Sequence, residues 1–389
     1  MTFTNKMERI VEAKMTTPEL IALHGYRTES HTIFTSDGYM LKVHRVIPLL
    51  GFQSEQSKVA LLHHGLLGSS DDWLLLGPGK ALPYLLSDIG YDVWLANARG
   101  NKYSNAHTTH TPDNEEFWDF SWHEIGIYDL PAAIDYIRKI TGDNSKLNLI
   151  GHSMGTTAII ALLSLSSKYN HKLRSVTLLA PLVFMYHTKG PLKDLADYFD
   201  SYYYRTESFI KEPEFMKNAT FSREVIDKFC RGDANICLNP LLLLVNGGQD
   251  LPNPETTEKV LGHVPAGGST KTIMHFCQLI KSGQFQLFDY GENLNYKTYG
   301  TRKVPAYNLN HISVPVVLFS SPDDWLSDVH DVLTLLSQLR NPILHHVLTR
   351  EEFSHSDFVW SEDASELIYY LLIDILEQPV LQKDMVNIK

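Results

Sequence analysis

The chain has 389 residues, of which 43% are hydrophobic and 20% charged, a composition typical of a globular protein with a sizeable core. Its formal net charge of -11 argues against nucleic acid as a partner and provides no electrostatic attraction to anionic membrane surfaces. No stretch reaches 18 uncharged apolar residues, so we expect no transmembrane segment. The first residues lack the apolar region of a signal peptide, which indicates either an intracellular protein or a leader missing from this chain.

The first half of the chain alternates short apolar runs with helical patterns. This alternation is typical of an α/β fold with a mostly parallel sheet and flanking crossover helices. Helices are expected at Ile125–Ile140 and Thr156–Lys168. The predicted strands of this half are Lys58–Gly65, Tyr91–Asn97, Lys146–His152 and Ser175–Pro181.

The sheet pattern stops after the fourth predicted strand and returns near the C-terminus. Residues 184–310 are rich in aromatic side chains, helical and irregular. The later strands are expected at Val314–Ser321 and Ile343–Thr349, and a helix is expected at Ala364–Leu376. We therefore predict a core formed by residues 1–183 and 311–389, interrupted by an inserted, mainly helical cap or lid at 184–310.

A Gly-His-Ser-Met-Gly motif centred on Ser153 follows the strand predicted at Lys146–His152 and precedes a helix. In this context the glycines permit a tight strand-to-helix turn that exposes a nucleophilic serine. A serine hydroxyl also needs a general base and a carboxylate that orients the base. In this topology the acid and then the histidine follow later strands, in the order serine, acid, histidine.

The strand at Val314–Ser321 is followed by three candidate acids, Asp323, Asp324 and Asp328. The strand at Ile343–Thr349 is followed by His355, the candidate base. The other histidines nearby fit less well, because two lie within a predicted strand and one follows the acids too closely: His345, His346 and His330. Periodicity alone does not choose between Asp323 and Asp324.

An oxyanion hole requires two backbone N–H groups directed at the developing negative charge. One belongs to Met154, the residue after the candidate nucleophile. Gly65 allows close approach of the loop after the first predicted strand, so the second candidate donor is the N–H of Leu66. His152, beside the serine, is expected to be a buried structural residue.

The sequence closely resembles the acid lipase family of α/β hydrolases, over nearly the whole chain. Segments similar to the family are TSDGYMLKVHRVIP, the stretch from HHGLLGSSDDW to ANARGN, FWDFSWHEIGIYDLPAAIDYI, GHSMGTT, HFCQLIKSGQFQLFDYG and FSHSDFVW. The resemblance implies Ser153 as nucleophile, Asp324 as acid and His355 as base, with oxyanion donors at Leu66 and Met154. It thereby favours Asp324 over Asp323.

The resemblance has further implications and two departures. Many relatives carry glutamine where this chain has Met154, and the backbone N–H is expected to act in either case. The family's disulfide spacing places Phe221 at the position of one cysteine of the bridge and Cys230 at the position of the other. That bridge is therefore expected to be absent. Whether Cys230 and Cys237 pair is left open, and Asn218 lies in a possible glycosylation sequon. The family implies a secreted or lysosomal location.

These observations predict a serine lipase that hydrolyses triacylglycerols, sterol esters or both at a lipid–water interface, without a cofactor or metal ion. A carboxylesterase or thioesterase acting on small soluble esters is the alternative. A non-enzymatic lipid-binding relative is disfavoured, because the sequence retains candidates for the nucleophile, base and acid. The oligomeric state does not follow from the sequence.

Overall fold

A computed structural model describes residues 11–48, 58–142, 145–202, 213–215, 239–246 and 253–378. Its centre is one sheet of eight strands, in the spatial order β1-β2-β4-β3-β5-β6-β7-β8. The strands are β1 Arg27–Phe34, β2 Met40–Ile47, β3 Val59–His63, β4 Asp92–Leu95, β5 Leu147–His152, β6 Leu173–Leu179, β7 Val316–Ser320 and β8 Pro342–Val347.

The sheet is mostly parallel. Strands β3 to β8 pair in parallel, whereas β1 pairs antiparallel with β2, and β2 pairs antiparallel with β4. Every residue of β3, β4, β5 and β7 is buried, as expected for strands covered on both faces. The predicted α/β fold is therefore confirmed, and the six predicted strands agree with the structure to within two residues at each end.

The described residues also form helices. Some lie before, between or after the strands of the sheet, and others belong to the segment between β6 and β7. None of them is long and apolar enough to cross a membrane. They are α1 Thr17–Leu23, α2 Leu82–Asp88, α3 Trp122–Glu124, α4 Leu130–Thr141, α5 Met154–Leu165, α6 Ser167–Lys172, α7 Pro191–Tyr202, α8 Pro240–Asn246, α9 Pro254–His263, α10 Thr270–Ser282, α11 Glu292–Tyr299, α12 Val329–Gln338, α13 Asp357–Trp360 and α14 Tyr370–Glu377.

Two of the predicted helices contain a wider, π-helical turn. Residues Ile125–Asp129 join α3 to α4, and Ser365–Tyr369 lead directly into α14. Between β6 and β7 the chain leaves the sheet, and helices α7 to α11 lie in this interval. The sheet thus brings the ends of β5, β7 and β8 to one edge, while the interval after β6 supplies additional helical structure.

The first turn of α5 packs closely against the loop after β3. A Cβ atom built on Gly155 would lie 2.6 Å from the backbone oxygen of His63 and 2.9 Å from that of His64. Both distances are shorter than an ordinary contact, and both involve backbone atoms that move only with the whole loop. Glycine at this position therefore brings α5 and the β3 loop together.

We expect Gly155→Ala to lower the free energy of unfolding by about 1–3 kcal/mol, the usual cost of overpacking. Helix propensity acts in the opposite direction, because alanine is favoured over glycine by about 1 kcal/mol in a helix. Urea-induced unfolding measures the difference. Leu165→Ala is the control on the same helix, because Leu165 is exposed and its change should stay within about 0.5 kcal/mol. A stabilised Gly155→Ala protein would contradict the close contact.

Candidate active site

Ser153 lies in the sharp turn between β5 and α5. Its backbone has φ 55° and ψ -123°, a combination that residues other than glycine rarely adopt. Strain of this kind costs about 1–3 kcal/mol and persists only where surrounding structure enforces it. Gly151 is closely packed as well, since a Cβ atom there would lie 2.6 Å from Cδ1 of Ile159. The turn places the Ser153 hydroxyl at the carboxyl edge of the sheet.

Two other side chains meet Ser153 at this edge. Nε2 of His355, in the loop after β8, lies 2.7 Å from the Ser153 Oγ. Nδ1 of the same ring lies 2.7 Å from Oδ2 of Asp324, in the loop after β7. All three residues are at most 2% exposed. Because a carboxylate only accepts hydrogen bonds, Nδ1 donates to Asp324, and Nε2 is left to accept from the serine hydroxyl.

The Asp324 carboxylate is held by backbone groups in addition to His355. Its Oδ1 accepts hydrogen bonds from the N–H of Leu326 at 2.8 Å and from the N–H of Ser327 at 2.9 Å. Bonds from neutral donors stabilise the ionised form and fix the direction of the carboxylate. The imidazole of His355 therefore has a rigid partner.

The other two candidate acids point elsewhere. Asp323 is exposed, and its Oδ2 accepts the backbone N–H of Glu352 at 2.7 Å. Asp328 caps helix α12 and forms an ion pair with Lys189 at 3.0 Å. The structure thus brings Asp324, and neither of its alternatives, to His355.

The alternative histidines also have other partners. His330 Nδ1 lies 2.8 Å from Oδ1 of Asp328. His345 lies in β8, where its Nε2 is 2.8 Å from the Ser320 hydroxyl. His346 lies in the same strand and its ring packs against Phe319. None of these contacts involves Ser153.

One candidate oxyanion donor directly follows Ser153 in the chain, and the other belongs to the loop after β3. Met154 provides the first N–H of α5, and Leu66 follows Gly65 in the loop after β3. Gly65 is close to the serine, since a Cβ atom on it would lie 3.1 Å from the Ser153 Cβ. Within the part of the chain that the structure describes, neither N–H donates to a protein acceptor. Both are therefore available to a negative oxygen.

His152 is buried behind the candidate base. Its Nε2 lies 3.0 Å from the backbone oxygen of His355. Burial, together with the nearby His355 ring, lowers the pKa of His152 to about 3. The neutral ring therefore donates from Nε2 to this carbonyl and holds the backbone of His355, as expected for a structural histidine.

Asp71 and Asp72, in the short helical turn after Leu66, form a buried acidic pair that the sequence pattern did not indicate. Asp71 contacts Lys102 Nζ at 2.6 Å and His263 Nδ1 at 3.0 Å. Burial opposes ionisation of Asp71, but its hydrogen bond to His263 and the Lys102 charge outweigh burial and hold its pKa well below its usual range.

Asp72 has a different environment. Its Oδ2 accepts the Ser69 N–H at 3.3 Å, and its buried Oδ1 has no partner among the described residues. Burial raises the pKa of Asp72 to about 7, and the negative charge of Asp71 acts in the same direction. The loop that carries Leu66 therefore holds a carboxyl group that is protonated at acidic pH.

The segment between β6 and β7 contacts the site on two sides. Nδ2 of Asn246, at the end of α8, donates to the Ser356 hydroxyl at 2.6 Å, next to His355. The N–H of Ala266 donates to the Leu67 carbonyl at 2.6 Å, next to Leu66. Described residues of this segment thus contact both the histidine loop and the loop after β3.

Several sequence expectations lie outside the described residues. These are the sequon at Asn218, Cys230 and Cys237, and Phe221. The remaining cysteine, Cys277, is a buried free thiol in α10, and burial raises its pKa above the usual range.

Comparisons with known proteins extend these observations. Residues 59–362 match the family described as alpha/beta hydrolase fold, and residues 17–77 match a partial alpha/beta-hydrolase lipase region. Lipase 1 of Drosophila melanogaster is 37% identical over 367 residues, which cover 94% of this chain and 80% of that protein. Gastric triacylglycerol lipase of Bos taurus is 34% identical over 388 residues, which cover 97% and 94% respectively.

A solved structure agrees in fold. An esterase from Exiguobacterium antarcticum superposes with a TM-score of 0.52 and 13% identity, covering 90% of this chain and 100% of the esterase. At this identity the likeness shows the fold alone. The chain therefore belongs to the α/β-hydrolase fold family. Within that family its relatives are lipases, and it is an ester hydrolase of the lipase type.

The Asp72 carboxyl predicts a pH-dependent contribution to stability. Its pKa is about 7 in the folded protein and near 3.9 in an unfolded chain, so the native state binds this proton more tightly. The resulting stabilisation is complete below about pH 4 and is lost as pH rises to 7 and above. The difference in unfolding free energy between wild type and Asp72→Asn should therefore fall by roughly a few kcal/mol between pH 4 and 8.

Urea unfolding of both proteins at five pH values measures this difference. Asp323→Asn is the matched control, because it neutralises an exposed carboxylate in another loop and should produce a nearly constant offset. A constant offset for Asp72→Asn as well would show that folding does not shift the pKa of Asp72.

Proposed function

We propose that the chain is a serine lipase in which Ser153 is the nucleophile, His355 the general base and Asp324 the orienting acid. The observation that carries this proposal is the continuous pair of 2.7 Å hydrogen bonds from Asp324 through His355 to Ser153. The three residues come from the ends of β5, β7 and β8, and this arrangement matches the order serine, acid, histidine of the fold.

The reaction begins when Ser153 Oγ attacks the ester carbonyl and His355 Nε2 takes the hydroxyl proton. The carbonyl oxygen becomes negative, and the N–H groups of Leu66 and Met154 donate to it. The bond between the carbonyl carbon and the alcohol oxygen then breaks, and His355 gives its proton to the leaving alcohol. The acyl group remains on Ser153.

Deacylation repeats these steps with water. His355 Nε2 removes a proton from the water as its oxygen attacks the acyl carbon, and the same N–H groups stabilise the new oxyanion. Collapse releases the carboxylic acid and returns the proton to Ser153 Oγ. Asp324 stays ionised throughout and stabilises the imidazolium that forms twice in each cycle.

The proposed substrates are neutral lipid esters, namely triacylglycerols, sterol esters or both, bound at a lipid–water interface. The names of the relatives support this class, since one of them is a gastric triacylglycerol lipase. We assign residues 1–183 and 311–389 to the catalytic core and 184–310 to a cap or lid. Ser153 is only 2% exposed, and this segment bonds to Ser356 and Leu67 in the neighbouring loops, so a lipid would displace part of the segment to react. We further propose a secreted or lysosomal site of action.

The test of the nucleophile compares wild-type protein with Ser153→Ala on a short-chain triacylglycerol, an emulsified long-chain triacylglycerol and a sterol ester, at pH 4–8. We expect hydrolysis of the emulsified esters to fall by at least about 10⁴-fold in the variant, because among the described residues the Ser153 hydroxyl is the one hydrogen-bonded to His355 Nε2. Met154→Gln is the control, since it preserves the backbone N–H and should retain activity. Equal rates for wild type and Ser153→Ala would refute the proposal, and activity on dissolved short-chain esters alone would indicate an esterase.

The role of Asp324 is tested by Asp324→Asn. An amide presents both donor and acceptor atoms to His355 Nδ1 and favours the ring tautomer that cannot accept the serine proton, so we expect kcat to fall by about 10⁴-fold. Steady-state kinetics on a soluble butyrate ester measures the loss. Asp323→Asn, one residue earlier, should change kcat by less than about threefold. A loss of similar size in both variants would assign the effect to the loop and not to Asp324.

A further inference from the structure

His64 is a buried histidine that the catalytic steps above do not use. It lies directly after β3, is 2% exposed, and precedes Gly65. Its Nδ1 lies 2.8 Å from the backbone oxygen of Gly65, and its Nε2 lies 3.1 Å from the backbone N of Ala98. Both ring nitrogens therefore have a backbone partner.

These partners determine the tautomer of His64. The Ala98 N–H can only donate, so Nε2 must be the acceptor and the ring proton lies on Nδ1. Nδ1–H then donates to the Gly65 carbonyl. Burial, and the neighbouring His63 ring, lower the pKa of His64 to about 3, which keeps the ring neutral in mildly acidic solution. Protonation would place a second proton on Nε2. This N–H group would then face the Ala98 N–H, which is also a donor.

The Gly65 carbonyl and the Leu66 N–H belong to one peptide unit. A trans peptide is planar, and its C=O and N–H bonds point in opposite directions. A bond that fixes the direction of the carbonyl therefore fixes the direction of the N–H. The Gly68 N–H also donates to this carbonyl, but at the longer distance of 3.3 Å. The hydrogen bond from His64 is the shorter of the two.

Gly65 also lies against the nucleophile. A Cβ atom on Gly65 would be 3.5 Å from Ser153 Oγ, so this peptide borders the place where an ester carbonyl meets the hydroxyl. We infer that His64 is a positioning residue, whose Nδ1–H holds the Gly65–Leu66 peptide so that the Leu66 N–H faces the oxyanion formed at Ser153. This inference rests on the proposed serine mechanism.

Two substitutions distinguish the roles of the two ring nitrogens of His64. His64→Asn retains an amide donor at the position of Nδ1, whereas His64→Gln retains an acceptor near the position of Nε2. A misdirected oxyanion donor weakens transition-state binding and leaves ground-state binding unchanged, and removal of one such donor costs about 10²–10³-fold in kcat. We expect His64→Gln to lower kcat by about 30–100-fold with KM within about twofold, and His64→Asn to stay within about fivefold of wild type.

The matched control is His63, which is also buried and whose Nδ1 lies 3.0 Å from the backbone oxygen of the next residue, His64. The rings of His63 and His64 stack at 5.0 Å. The peptide that His63 contacts does not contain the Leu66 N–H. His63→Gln should therefore lower the melting temperature about as much as His64→Gln while changing kcat by less than about threefold.

A boronic acid provides a readout independent of turnover, because it forms a tetrahedral adduct on the serine with an oxygen in the oxyanion position. Its inhibition constant should rise in His64→Gln by the same factor as kcat falls, and should hardly change in His64→Asn or His63→Gln. Equal losses in both His64 variants, or an unchanged inhibition constant in His64→Gln, would overturn the positioning role. Failure of the serine mechanism itself would appear separately, as full activity in Ser153→Ala.

Discussion

The strained backbone of Ser153 is the constraint on which the active site depends. The turn is held on both sides: the Ser153 N–H donates to the Leu179 carbonyl at 3.0 Å, and the Ser153 carbonyl accepts from the Thr156 N–H at 2.9 Å. The Thr156 hydroxyl in turn accepts the Leu182 N–H at 3.0 Å. Strand β6 and the residues after it therefore enforce the turn. Their bonds must offset a backbone cost of about 1–3 kcal/mol.

The electrostatics of the site follow from burial. Burial keeps three histidines at the ends of β3 and β5 neutral, with the pKa of His63 lowered to about 4 and that of His64 and His152 to about 3. The Asp324 carboxylate is bonded by oriented backbone donors and by His355. These three histidines do not titrate between about pH 5 and 8. They therefore add no pH-dependent charge near Ser153 over that range.

The sequence predicted the parts of the fold that depend on local pattern. Continuous apolar runs located the parallel strands, because strands covered on both faces contain few polar residues. The edge strand β1 was not located by periodicity, since most of Arg27–Phe34 is polar and partly exposed. The π-helical turns Ile125–Asp129 and Ser365–Tyr369 were also missed, because apolar spacing does not distinguish a wider turn from an α-helical one.

For the candidate site, motif and strand order predicted which loops would meet, but not how the side chains within them point. Asp323 and Asp324 are adjacent, and only the conformation of their loop directs one to Glu352 and the other to His355. The buried Asp71 and the role of its partner His263 depend on chain segments 192 residues apart. No local sequence pattern predicts a contact between residues so far apart in the chain.

The bonds that join the segment after β6 to the core are unequal in strength. At the loop after β3, His263 of this segment contacts the buried Asp71 carboxylate, and the Ala266 N–H donates to the Leu67 carbonyl. At the histidine loop, the described residues Asn246 and Ser356 share a neutral hydrogen bond. Hydrogen bonds to a charged group contribute about 1.5–3 kcal/mol, against about 0.5–1.5 kcal/mol for a neutral pair. Among the contacts that the structure describes, the one at the histidine loop is therefore the weaker of the two, and we expect the loop that carries Leu66 to keep its support if this segment moves.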